Sequence, residues 1–138
     1  MSIVGFNFKK IEAERKSRAQ GRINIQNNLS PKEVAAEDLP MSTDDREGLR
    51  VTFEYVSEFT PNIGHIKLVA DVLLLESTEN KKKLLDAWHK DKSLPKEFIE
   101  PLFNLVLRKC NLMALNIADD VRLPSPIKLG NVKVQDKN

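Results

Sequence analysis

Apolar side chains alternate with polar ones in four separate stretches of the chain, which is the pattern of half-buried β-strands. The clearest stretch runs from Leu49 to Tyr55 and is rich in β-branched and aromatic residues, which favour strands. The residues Pro61-Asn62-Ile63-Gly64 are typical of a reverse turn and separate it from the last stretch. We predict strands over about 2–13, 21–34, 48–60 and 65–76.

The fourth strand is apolar on both of its faces. One face carries alternate apolar residues from Ile66 to Leu74, while Val69, Leu73 and Leu75 belong to the other face. A strand that is apolar on both faces is commonly covered on both. We therefore expect a second chain or another element on the second face.

Helical spacing replaces alternation after residue 77. Ser77 is a candidate N-cap for a short helix over about 79–91, and Pro95 suits the first turn of a long helix over about 95–119. The apolar sector of the long helix is wider than the roughly 100° needed to pack on one sheet. This surplus predicts contact with a second chain, and burial by the chain's own loops is the alternative. An extended tail over 122–138 follows.

Strands joined by short connections, followed by helices, predict an α+β fold. We expect a four-stranded antiparallel meander sheet, then a short helix and one long helix packed on one face. The 138 residues fit one domain, 1–138, and 41% hydrophobic residues suffice for its core.

Charge and targeting signals give few positive indications. The net charge is only +2, whereas nucleic-acid binders usually concentrate a larger basic excess on one face. The first ten residues turn from apolar to basic, the reverse of a secretion signal, and no apolar stretch approaches the roughly 20 residues that a bilayer requires. We expect a cytoplasmic protein without membrane insertion.

No motif predicts catalysis, a metal site or a cofactor. His65 and His89 have no metal-ligand spacing, and the five glycines form no phosphate-binding loop. Cys110 lies among apolar residues and is expected to be a buried small side chain. We therefore expect a protein that is not an enzyme.

Several segments together resemble the SecB-type export chaperones. Residues 21–28 (Gly-Arg-Ile-Asn-Ile-Gln-Asn-Asn) look like the family's second strand, 48–55 like its third and 65–72 like its fourth. The long helix leading into 122–132 (Arg-Leu-Pro-Ser-Pro-Ile-Lys-Leu-Gly-Asn-Val) is similar to the family's helix end and the apolar extended piece that follows it. The resemblance implies a SecB-like fold that assembles into dimers or tetramers.

The chain also departs from the family. Only about ten residues connect Ile11 to Arg22, in place of the family's long crossover loop, and we expect no counterpart of the family's C-terminal helix. Both elements help to wall the client groove in the family. The family's acidic sheet surface recruits the export motor, and we do not expect that docking for a basic chain.

The leading hypothesis is a chaperone or polypeptide-binding protein related to protein transport, which holds unfolded or partner segments on apolar surface as a homo-oligomer. The alternatives are a partner-specific adaptor of the antitoxin-guarding type, or RNA or ribosome association through the basic clusters 15–22 and 81–83. The candidate polypeptide-binding residues are Phe59, Val69, Leu73, Leu75, Trp88, Phe98 and Phe103, and the candidate oligomer interface is Leu102, Val106 and Met113.

Overall fold

The computed structural model describes residues 2–18 and 21–128. Its elements are, in chain order, strands β1 (Ser2–Arg15), β2 (Asn24–Glu37), β3 (Arg46–Thr60) and β4 (Gly64–Ser77), then helices α1 (Thr78–Asp91) and α2 (Lys96–Asp120). The α+β fold class, with a four-stranded antiparallel sheet followed by two helices, is confirmed. The predicted tail is described only as far as residue 128, and 129–138 lie outside the described residues.

The order of strands in the sheet is β1-β4-β3-β2, with every neighbouring pair antiparallel. Strands β2, β3 and β4 form the expected meander, but the prediction must be corrected for β1, which pairs with β4. The connection from β1 crosses the end of the sheet at the β3–β4 turn, where the Lys16 N–H donates to the Ile63 carbonyl at 2.8 Å. A tight β1–β2 hairpin would need a short turn sequence that this connection does not have.

The core lies between one face of the sheet and the two helices. The helix-facing side chains of β3 and β4 are almost completely buried, among them Phe53, Tyr55, Leu68 and Leu74. Helix α2 buries every fourth residue against them, namely Phe98, Leu102, Val106, Cys110, Ala114 and Ala118. The last three of these are small, so the C-terminal half of α2 can approach the sheet closely. Leu84 and Trp88 are the buried residues of α1.

The ends of the helices have identifiable caps. The Ser77 hydroxyl accepts from the Asn80 N–H at 3.2 Å, so the predicted N-cap of α1 is present. Helix α2 ends in a Schellman motif, in which the Leu123 N–H donates to the Ala118 carbonyl at 2.8 Å. Its left-handed position is held by Arg122, with φ 59°, where glycine is usual. Within the described residues, no helix is long and apolar enough to cross a membrane.

Candidate functional site

Helix α2 lies over the two central strands and leaves both edge strands partly uncovered. It packs on β3 and β4, with the ring of Phe103 edge-on to that of Phe53 at 6.4 Å between centroids. Helix α1 crosses the sheet at the end where β2 finishes, because it follows Ser77 directly and its Lys81 pairs with Glu47 at 3.1 Å. Two flanks of α2 therefore remain, one over β1 and one over the first half of β2.

The β1 flank is apolar and exposed. Ile11 pairs with Leu68, which is buried on the helix-facing side, so Ile11 points to the same side. Ile11 is nevertheless 52% exposed, because no helix covers it. Leu112 of α2, at 58% exposure, does not belong to this flank, because it lies midway between buried Cys110 and Ala114 and so points away from the sheet.

Two aromatic side chains of β1 lie on the same flank and are partly covered. Phe6 and Phe8 are half-buried and lie edge-on, 5.2 Å apart between ring centroids. The ammonium of Lys109 on α2 lies 5.9 Å from the centre of the Phe6 ring. We call this region the β1–α2 surface; it consists of Ile3, Phe6, Phe8, Ile11 and Lys109.

The β2 flank is built around a polar network. The buried hydroxyl of Ser57 lies 2.6 Å from Oδ1 of Asn27 and 3.0 Å from the hydroxyl of Tyr55, which lies 3.3 Å from Oδ1 of Asn111 on α2. Burial raises the pKa of Tyr55, an effect that its hydrogen bond with Ser57 partly opposes. The network, with the Tyr55 hydroxyl uncharged, therefore connects the edge strand β2 to α2.

The chain after α2 returns to this network. Asn27 donates through Nδ2 to the carbonyl of Pro126 at 2.7 Å, and Pro126 is buried. The register pairs Ile25 with Phe59 and Leu29 with Tyr55, so both β2 residues share the helix-facing side with Asn27. We call Ile25, Asn27, Leu29 and the facing Phe103 and Asn111 of α2 the β2 groove. The tail over 124–128 lies on it.

The opposite face of the sheet, the outer face, is covered by paired charges. Arg50 contacts Glu37 at 2.8 Å and Glu33 at 3.0 Å, and Lys67 contacts Glu54 at 3.6 Å. A hydrogen bond with His65, followed by the charge of Lys10, lowers the pKa of Glu12. The register places an acidic excess here, with Glu12, Glu14, Glu33, Glu37, Glu54, Glu58 and Asp71 against Lys10, Arg46, Arg50 and Lys67.

The predicted contact residues do not lie together. Most of them are buried within this chain, with exposures of 0% for Leu102 and Val106, 1% for Phe59, 6% for Trp88, 7% for Phe98 and 9% for Leu75. They offer little or no surface to a second chain: five of them pack in the core between the sheet and the helices, and Leu75 is buried on the outer side of β4, opposite Gly48. Of the half-exposed remainder, Val69 and Leu73 lie on the outer face, while Phe103 and Met113 lie on α2.

The β1–α2 surface was missed as a unit, although β1 carries a signal. The apolar residues Phe6 and Phe8 have even numbers, whereas Ile11 and Ala13 have odd numbers. The alternation therefore changes phase between Phe8 and Ile11. The register shifts between Phe8 and Lys10, so a bulge keeps both pairs on one side. A change of parity within an alternating stretch is therefore readable as a bulge, and it would have extended the apolar face to Ile11.

The remaining chemical groups are dispersed. Among residues 2–18 and 21–128, no group of three or more His, Cys, Asp or Glu residues could hold a metal ion. His65 lies 3.1 Å from Glu12 on the outer face. Burial raises the pKa of Cys110 to about 12, so its thiol stays protonated at neutral pH.

The arrangement of strands and helices is that of the SecB-like proteins, and this chain has a SecB-like fold. A solved structure with this fold is the Mycobacterium tuberculosis Rv1957 SecB-like chaperone, in complex with a ChAD peptide from the Rv1956 HigA1 antitoxin. The two chains share 14% sequence identity and a TM-score of 0.61, over 98% of this chain and 92% of the other. No protein-family model matches the sequence, and no curated protein matches it.

Proposed function

We propose that this protein is a non-enzymatic, SecB-like polypeptide-binding protein that holds unfolded or partner segments on apolar surface in the cytoplasm. The SecB-like fold supports the proposal, and so does the mycobacterial chaperone of that fold, whose structure contains a bound antitoxin peptide. Burial of apolar surface stabilises a complex by about 25 cal/mol per Å² and depends on area, not on a particular sequence. A protein that binds unfolded segments requires this tolerance.

The observation that carries the proposal is the incomplete cover of the sheet by α2. Ile11 at 52% exposure and Ile25 at 36% lie on the helix-facing side of opposite edge strands. If α2 served only to close a core, polar residues would be expected at these two exposed positions. Both flanks of α2 instead offer apolar contacts beside an edge strand, and backbone pairing can add affinity at the open edge of β1.

We assign the two flanks to different partners. The β1–α2 surface suits a second copy of this chain, because β1 offers 14 residues of unpaired edge without a proline. Met113 of α2 is half-exposed and belongs to the same proposed interface, whereas Leu102 and Val106 support it from the core. The β2 groove, with Phe103, is the proposed site for polypeptide segments. Val69 and Leu73 would need a separate site, since they lie on the outer face.

Aggregation of a chemically denatured model protein tests the function directly. The wild-type chain, added at stoichiometric amounts, is expected to slow light scattering after dilution from denaturant. Ile25→Asp should weaken this effect, because it places a charge in the β2 groove. Gln26→Asp is the matched control, since Gln26 pairs with Glu58 on the outer face. Failure of the wild-type protein to slow aggregation contradicts the proposal.

The antitoxin peptide in the mycobacterial structure favours one second candidate, a partner-specific adaptor. Such a protein binds one disordered segment tightly and other unfolded chains weakly. Titration calorimetry with a panel of unrelated unfolded polypeptides separates the two functions. Similar affinities across the panel support a general chaperone, and uniformly weak binding beside one tight, defined partner supports the adaptor.

A further inference from the structure

We propose that residues 124–128 form a displaceable strap that occupies the β2 groove and competes with the polypeptide segments that bind there. This inference rests on the proposed function and adds a regulatory element to it. Three observations carry it: a fixed hydrogen-bond donor in the groove, the way the strap is attached, and the resemblance of the strap to an extended ligand.

The donor is Asn27, and its orientation is fixed by its neighbours. The carbonyl of Pro126 can only accept, so Asn27 must turn its NH₂ group toward the strap. Its oxygen then faces Ser57, whose hydroxyl donates to it at 2.6 Å. Ser57 is completely buried and also contacts Tyr55. The groove therefore presents a preorganised N–H donor for a backbone carbonyl.

The strap has few attachments beyond this bond. Among the described residues, Asn27 to Pro126 is the one hydrogen bond that ties 124–128 to the sheet. The Ser125 hydroxyl bonds within the strap, to the Ile127 carbonyl at 2.5 Å. Pro124 and Pro126 have no N–H to donate, so the strap cannot form a regular ladder with β2. Segments with few backbone hydrogen bonds open at low free-energy cost.

The strap makes the contacts that an extended ligand would make. It places a buried apolar ring, that of Pro126, beside a backbone carbonyl held by Asn27. Any extended polypeptide segment with an apolar side chain offers the same pair of groups. Because Leu123 stays anchored in the core at 7% exposure, the strap remains tethered when it leaves the groove. Its return then competes with the ligand at a high effective concentration.

The test compares two variants that each place one carboxylate on the strap. Pro126→Asp places the charge at a buried position, and Lys128→Asp places one at an exposed position of the same segment. The ligand is reduced, carboxymethylated α-lactalbumin, which is an unfolded polypeptide, and binding is measured by calorimetry. We expect Pro126→Asp to bind it about 10-fold more tightly than wild type, and Lys128→Asp to stay within about 2-fold, since effective concentrations of short tethers are high.

A second measurement follows the strap itself. A fluorophore attached through Lys128→Cys reports its mobility, and Cys110 does not interfere because it is buried with a pKa of about 12. Fluorescence anisotropy of the label should fall when the unfolded polypeptide is added.

The outcomes distinguish the two proposals. Tighter binding by a folded Pro126→Asp variant, or lower anisotropy on ligand addition, supports a displaceable strap. Ligand binding by wild type with unchanged anisotropy, together with equal or weaker binding by Pro126→Asp, overturns the strap and leaves the proposed function intact. Absence of binding by wild type and both variants overturns both proposals.

Discussion

The edge strands beside the two flanks of α2 differ: β1 is apolar and exposed, whereas β2 is interrupted and covered. On the β1 flank the strand carries exposed Ile3 and Ile11, and Lys109 of α2 lies over Phe6. On the β2 flank the strand is interrupted by Pro31 and a register shift before Glu33, carries polar Asn27, and is covered by residues 124–128. The first edge is open for association, whereas the second is protected against it.

The difference shows how one sheet can separate two kinds of contact. A long, apolar and unpaired strand favours a lasting interface, because burial and backbone pairing act together. A groove closed by a few weak contacts favours exchange between an internal and an external ligand. Both edge strands contain bulges, so the proline, the Asn27 amide and the covering residues 124–128 are what distinguish the β2 edge from the β1 edge.

The largest expected effect is the loss of stability when a methyl group is added to a glycine that lies against each edge strand. A methyl group on Gly64 would lie 2.2 Å from the Glu14 carbonyl oxygen of β1, and one on Gly48 would lie 2.3 Å from that of Glu37 in β2. We expect Gly64→Ala and Gly48→Ala each to lower the free energy of unfolding by about 3 kcal/mol in urea titrations. Hydrogen exchange should accelerate near Glu14 in the first variant and near Glu37 in the second.

Gly5→Ala is the control for this pair. Its methyl group would meet only the side chain of Leu73, at 3.1 Å, which can move aside. If Gly5→Ala destabilises the protein as much as the other two, close backbone approach is not the cause.

The next effect concerns the open flank. Ile11→Asp should weaken self-association about 100-fold, or about 2.7 kcal/mol, because it buries an unpaired charge between the subunits. Sedimentation velocity over a range of concentrations measures the change. Asn7→Asp places the same charge on the outer side of β1, opposite Asp71, and should associate like wild type. A wild-type protein that is monomeric at all concentrations removes this assignment.

A smaller effect is expected in the protected flank. Asn27→Ala should cost about 1 kcal/mol, since it removes the bonds to Pro126 and Ser57. Asn28→Ala, one residue along β2 and on the outer face opposite Val56, should change stability by less than about 0.5 kcal/mol. Urea unfolding of both variants gives the comparison, and equal effects would show that the network contributes nothing specific.

The smallest effect lies where the strap begins. Arg122→Gly should stabilise the protein by about 0.5–1 kcal/mol, because glycine adopts the left-handed conformation without steric cost. Thermal unfolding measures the gain. Since the change leaves Asn27 and Pro126 in place, affinity for unfolded polypeptide should stay unchanged. A loss of stability would mean that the Arg122 side chain makes a contact that outweighs the strain.

The fold class was readable from the sequence, because its signals are local. Alternation from Leu49 to Tyr55, the turn at 61–64 and the cap at Ser77 each depend on residues close together in the chain. The position of β1 was not readable in this way. Its partner is β4, more than fifty residues away, and its pairing depends on the crossing of the sheet end.

The candidate site was harder to predict for a related reason. Apolar character marks Phe98, Leu102 and Val106, but it does not distinguish a core contact from a surface contact. The choice between them depends on where α2 lies across the sheet. The network from Asn27 to Asn111 has no sequence signal at all, since its members come from three elements far apart in the chain.

The sequence by itself therefore determined the elements, their types and a SecB-like resemblance, because periodicity and capping act over a few residues. Only the tertiary structure decided which apolar side chains stay exposed, which edge is open and where residues 124–128 lie. These depend on the register of β1 against β4 and on the width of the sheet relative to one helix. Two flanks remain beside α2 because a single helix covers only the central strands of a four-stranded sheet.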